Sequence, residues 1–241
     1  MLSGWLLLGA IPLSLASGFV RGVTGFGGAM VLTAPLAFLV EPHQAVLVAL
    51  MLEGLAASHM LPGACRDGRL RLIGPICLAA CLMVPIGGYL LTSLDPSFIR
   101  NWIAGTILVF AFMMLRGFRY HGNQRQVTSV LVGALSGVLT AATSVGGPPL
   151  ILYLLSGPDP VAVTRANLTI FIIVISTATL LFFLAQGALD LPTAGLAAVL
   201  APFFVLGIWA GSRIFTRINE RRFRQIVLTL LIVVSAGMLL L

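Results

Sequence analysis

Residues 24–28 read TGFGG and residues 143–147 read TSVGG, two glycine clusters 119 positions apart, each set in a long apolar run. How the chain passes through these clusters decides the fold. The surrounding composition is that of a membrane protein: of 241 residues, 59% are hydrophobic and 9% charged, with a mean hydropathy of +1.08, outside the range of water-soluble domains. A bilayer core of roughly 30 Å takes about 20 apolar residues per helix. Apolar segments follow one another at about 4–22, 27–40, 44–62, 72–93, 98–116, 128–142, 147–157, 161–186, 193–215 and 223–241. These ten helical segments predict an all-α polytopic protein forming one membrane domain over 1–241 and leave no length for a soluble catalytic domain. The first run ends in small residues, as secretion signals do, but lacks their positive start and leads straight into the first cluster, so it is read as a membrane segment.

The two halves resemble each other. At an offset of 119, Gly18, Thr24, Gly27 and Gly28 align with Gly137, Thr143, Gly146 and Gly147; after a slip of one residue, EPHQAV at 41–46 lies over DPVAVT at 159–164. The expected repeats span about 1–118 and 127–241, joined by an Arg-rich connection.

The arginines choose the topology. All fourteen basic residues are Arg, which account for the net charge of +7, and they sit in short connections, not on an aromatic-laced basic face, so nucleic acid is not the expected partner. If the chain reverses at each cluster, Arg66, Arg69, Arg71, Arg116, Arg119, Arg125, Arg165, Arg213, Arg217, Arg221, Arg222 and Arg224 share one face. Only Arg100 lies opposite, and Arg21 is near a hairpin tip. Basic residues are retained on the cytoplasmic side, so both termini are expected outside, in the periplasm if the membrane is a bacterial inner membrane. Each half is then a broken-helix hairpin plus three transmembrane helices, about eight conventional spans in all. An odd number of crossings per half makes the two halves inverted repeats.

A helix break inside a bilayer is tolerated only where protein buries it or it lines a water-filled cavity. Glycine permits the turn and a ligand's close approach, and Pro148 and Pro149 suit the first turn of a new helix. Helices restarting near Gly28 and Gly147 would turn free amides and positive dipole ends inward, a pattern suited to an anion. The candidate substrate residues here are Thr24, Gly27, Gly28, Thr143, Ser144, Gly146 and Gly147; the competing reading is that the glycines serve close helix packing. Arg21 is either a charge for that anion or an interfacial arginine reaching out to water. Glu53, in mid-segment with no basic residue one turn away, is expected to be an unpartnered carboxylate that can carry a proton. Asn167 is a candidate hydrogen-bond partner of substrate. Cys65, Cys77 and Cys81 form no metal or redox pattern, and no cofactor or metal is expected.

GFVRGVTGFGGAMVLTAPL at 18–36 and GVLTAATSVGGPPLILYL at 137–154, followed by RAN at 165–167, resemble the paired signatures of the TauE/SafE sulfite exporter family, over essentially the whole chain. The resemblance implies an integral membrane permease with seven to nine spans for sulfite, sulfonates or related organic anions. It does not carry Glu53.

The expected activity is therefore secondary transport of a small oxyanion held between the breaks, with one repeat rocking against the other, driven by protons or membrane potential. No ATP-binding G-x-x-x-x-G-K-[ST] loop is present, and the chain is not read as an enzyme. The partners expected are the small anion and the lipid bilayer; a homodimer stays open. The alternatives are a channel-like anion uniporter, a sulfur-handling protein using Cys77 or Cys81, which share a helix face, and a subunit without its own substrate.

Overall fold

A computed structural model describes residues 4–118, 125–214 and 220–240. Among these there are ten α-helices and no strand: α1 Gly4–Thr24, α2 Gly28–Leu39, α3 Pro42–Asp67, α4 Leu70–Ser93, α5 Pro96–Leu115, α6 Gln126–Thr143, α7 Gly147–Leu154, α8 Val161–Ala185, α9 Leu191–Ile214 and α10 Glu220–Leu240. Each helix corresponds to one predicted apolar segment. Arg119 and Arg217 lie outside the described residues.

The starts follow local chemistry. Proline stands in the first turn of α3, α5 and α7, where its missing N–H costs nothing and its fixed φ suits the helix. Asp95 caps α5 by accepting from Ser97 N at 2.8 Å, and the hydrogen bond from the Ser97 hydroxyl, seconded by this amide bond, holds its carboxyl below the usual range.

Among the described residues, seven helices, α1, α3, α4, α5, α6, α8 and α9, are long and apolar enough to cross a membrane; the protein is a multi-pass membrane protein. The expectation of about eight spans counted each hairpin once and included 223–241. The eighth in that count is α10, which is apolar over its described stretch Gln225–Leu239. At 1.5 Å per residue, α2 with 12 residues and α7 with 8 are about 18 and 12 Å long, too short to cross.

The two halves interleave. α1 packs along α9, α4 along α6, α3 against α8 and α5 against α10. Glycines bring backbones together: a Cβ on Gly18 would strike the Phe204 carbonyl and one on Gly22 the Ile208 carbonyl, while Gly133 and Gly137 stand likewise against Ile76 and Ala80. The competing packing role is thus real for Gly18 and Gly137, which begin the repeated motifs. Both registers rise together, so α1 and α9 run in the same sense, as do α4 and α6. Gly22, just before the first break, lies level with Ile208 of α9.

Candidate functional site

Both breaks form by left-handed turns. Gly25 and Gly27 have φ of +77° and +81°, and Ser144 has φ of +59°. Only Gly enters this region without strain; Ser144 is the one non-glycine residue in it among those described. The threonines act alike at the two breaks. Thr24 Oγ1 lies 2.8 Å from the Val20 carbonyl and accepts from Phe26 N at 3.3 Å; Thr143 Oγ1 lies 2.8 Å from the Leu139 carbonyl and accepts from Val145 N at 3.3 Å. Each hydroxyl is engaged in capping its own helix end.

Between the breaks lies a cavity of about 50 Å³ with a mostly apolar wall. Its polar lining is Arg21, Glu53, Thr140, Ser144 and Ser176, and Gly27 and Gly147 bring both breaks to it. A Cβ on Gly147 would meet nothing within 4 Å. Gly28 and Gly146 do different work. A Cβ at Gly28 would stand 2.5 Å from Glu53 Oε1, and one at Gly146 would strike Thr140 Oγ1 and the Ser136 carbonyl. These two glycines admit neighbouring groups to the breaks.

Arg21 is 4% exposed, which removes the reading of an arginine reaching out to water. Its Nη1 donates to the Gly25 carbonyl at 2.6 Å, placing a cation at the negative end of α1. Nε stands 3.2 Å from Glu53 Oε2, a charge contact without hydrogen-bond alignment, since Oε2 has no hydrogen-bond partner among the described residues. Nη2 is buried and likewise has none.

The expectation that Glu53 lacks a partner is corrected here. No basic residue neighbours it on its own helix, but the α1 break carries Arg21 to it. Its other oxygen, Oε1, accepts from Ala29 N at 2.9 Å, in the first turn of α2. Long-range folding supplied the partner, and spacing along α3 held no trace of it.

Two further expectations change. α7 begins Gly-Pro-Pro, and proline has no amide hydrogen, so its first turn offers an anion few donors; the amides come from α2. Asn167 is fully buried but stands outside the cavity lining. Its Oδ1 accepts from Arg69 N at 2.8 Å, beside the Arg69–Asp159 ion pair of 2.6 Å, so it fastens α8 to the connection before α4. Thr24, Thr143, Gly28 and Gly146 also stand behind the lining.

Thr140 and Ser176 were missed from sequence. Both are polar residues inside apolar helices, and the rule that singled out Glu53 would have found them. Thr140 Oγ1 donates to the Ser136 carbonyl at 2.7 Å. Among the described residues no cluster of His, Cys, Asp and Glu suits a metal ion. Cys77 is buried and outside the cavity lining.

Comparison with known proteins agrees with this architecture. Residues 10–238 match the family model described as sulfite exporter TauE/SafE. The chain is 26% identical over 240 residues to a protein of Cupriavidus necator named "Probable sulfite/organosulfonate exporter TauE", covering 97% of this chain and 94% of that one. No solved structure matches the chain significantly.

Proposed function

The chain belongs to the sulfite exporter TauE/SafE family, and from that premise we propose that it is a secondary transporter moving a small sulfur oxyanion, sulfite or an organosulfonate, out of the cell. The observation that carries this reading is the cavity between the two breaks, where a buried guanidinium keeps one N–H group without a partner. A buried donor of this kind favours an oxygen acceptor, and a guanidinium matches planar or pyramidal oxyanions in two-point fashion. The small volume and apolar wall fit a compact anion and exclude large ones.

The halves are read as inverted repeats, with repeat boundaries at about 118 and 127. Exchanging the halves turns the α1–α9 pair into the α6–α4 pair and leaves α3–α8 and α5–α10 unchanged, which supports that reading. The moving bodies would then be cross-half pairs such as α1 with α9, since glycine contacts tie each half to the other. The one-sided arginines support placing the termini in the periplasm and the chain in a bacterial inner membrane. One chain contains the whole site, so the reading requires no homodimer.

For a uniporter, an inside-negative potential of 100 mV would contribute about 2.3 kcal/mol toward export of a monovalent anion, so outward flux does not require coupling. The test is efflux from proteoliposomes loaded in turn with sulfite, methanesulfonate and small carboxylates. Wild type should release a sulfur oxyanion and Arg21→Gln should not; wild type passing none of the panel overturns the reading.

A further inference from the structure

Glu53 makes the contacts that a bound oxyanion would make. One oxygen accepts an amide hydrogen at the start of α2, the other lies 3.2 Å from the Arg21 guanidinium, and the carboxylate itself lines the cavity. The first hydrogen bond into α2 is donated by Val31 to the Gly27 carbonyl at 3.2 Å, so the amides of Gly28, Ala29 and Met30 precede the helical ladder, and Glu53 takes the middle one. Gly28 lacks the Cβ that would push the carboxylate out. The prolines of α7 leave α2 as the amide-rich end. A second, independent observation points to a ligand: Arg21 Nη2 is buried in this cavity wall with no partner.

We propose that the Glu53 carboxylate is the resident occupant of the anion position, and that a substrate monoanion enters as Glu53 takes up a proton, so that one proton accompanies each anion and no net charge crosses. This rests on the transport reading above and deepens it. Empty, the site holds one guanidinium and one carboxylate and is neutral. Loaded, it holds the guanidinium, a neutral carboxylic acid and the monoanion, and is neutral again. The proton comes from hydronium or buffer acid in solution, whose O–H or N–H bond breaks as the O–H bond to a carboxylate oxygen forms; no bond to the anion forms or breaks. An anion beside an ionised Glu53 would meet a like charge in a site of low dielectric, where it is poorly screened, so anion and proton bind together by linkage.

Among the described residues, no second titrating group faces the pair from the helices packed on α3. α2 and α6 carry none. Arg100 of α5 donates to the Ala37 carbonyl at 3.0 Å, and Arg213 of α9 covers the Trp209 ring at 3.9 Å. Of α4, Arg71 and Tyr89 are exposed, and Cys77 and Cys81 lie outside the cavity lining. Arg165 of α8 adds a permanent charge beside Gly25, its Nε 3.7 Å from where a Cβ there would stand. The consequence for energetics is that membrane potential drops out for a monoanion. Flux follows the product of proton and anion concentrations, and export runs while that product is larger inside.

The test is calorimetric titration of the purified protein with methanesulfonate, which stays singly charged at working pH, and with sulfite, corrected for its own titration, in buffers of different ionisation heat. Wild type should take up one proton per anion, and its affinity should fall about tenfold per pH unit on the alkaline side. Glu53→Gln should bind with no proton uptake and no pH slope. In proteoliposomes, wild-type flux of methanesulfonate or sulfite should ignore a valinomycin-imposed potential, and that of Glu53→Gln should follow it. Anion binding to wild type without proton uptake overturns this inference and leaves the transport reading standing. Failure of both probes to bind either protein overturns both. The proton count on wild type decides the matter even if the variant does not fold.

Discussion

Thr33 and Ser144 share a hydroxyl–hydroxyl hydrogen bond of 2.6 Å across 111 positions of sequence. Ser144 Oγ also donates to the Thr143 carbonyl at 2.6 Å, so Thr33 is the donor in the shared bond. The bond pins α2 to the second break at its left-handed residue. Thr33→Val should lower stability by about 1 kcal/mol, the scale of interhelical hydrogen bonds in membranes, read as a lower unfolding temperature in detergent. Little further loss should follow when Thr33→Val is added to Ser144→Gly, because the acceptor is already gone.

The Arg21–Glu53 pair is buried on both sides. Removing one partner leaves an uncompensated charge, at a cost of roughly 3–5 kcal/mol, whereas replacing both by apolar residues of similar volume can be near neutral. Arg21→Met alone should therefore unfold well below wild type. The double variant Arg21→Met, Glu53→Leu should recover most of that stability and bind no anion. Equal instability of the single and double variants would show that the pair does not behave as a coupled unit.

Gly146 and Gly147 should respond oppositely to the same substitution. Alanine at Gly146 drives a methyl into Thr140 and the Ser136 carbonyl, whereas at Gly147 it enters open space at the cavity. Gly146→Ala should lose stability, and Gly147→Ala should keep its unfolding temperature and lose anion affinity. Gly27→Leu forces a side chain into φ of +81°, at roughly 1–3 kcal/mol of strain, and should abolish flux while the protein still inserts.

Asn167→Ala removes the acceptor for Arg69 N and leaves a buried amide unpaired, which costs about 1–3 kcal/mol. Thermal unfolding should report that loss, with anion affinity close to wild type. A large loss of affinity at unchanged stability would return Asn167 to the substrate site.

A variant with Cys65, Cys77 and Cys81 all replaced by alanine should transport normally and lose any sensitivity to maleimides. Loss of flux with the fold intact would favour the sulfur-handling alternative.

The helices were legible because lipid imposes one strong rule on every segment: about 20 apolar residues, with breaks only where protein can shelter them. TGFGG and TSVGG violate that rule in the same way and so marked the breaks, and with them the place of the cavity. The partners of individual side chains were not legible. Glu53 reads as unpartnered along α3 because Arg21 reaches it through the turn at 25–27, and Asn167 reads as a ligand because its real partner, a backbone amide at Arg69, carries no sequence signal. Thr24 and Thr143 read as substrate donors from the same repetition that in the fold makes them matching caps. Repetition located the structural device without separating its wall from its supports.

The interleaving of the halves also governs how the protein can be made. The Gly18 and Gly22 face of α1 finds its partners only at Phe204 and Ile208, so the first helix to leave the ribosome waits for almost the last before its closest contacts can form. The first half alone would present bare glycine grooves to lipid, where a translocon or chaperone must shield them. Two halves cut near residue 120 and expressed together should assemble into an active transporter, whereas either half by itself should be cleared by membrane proteases.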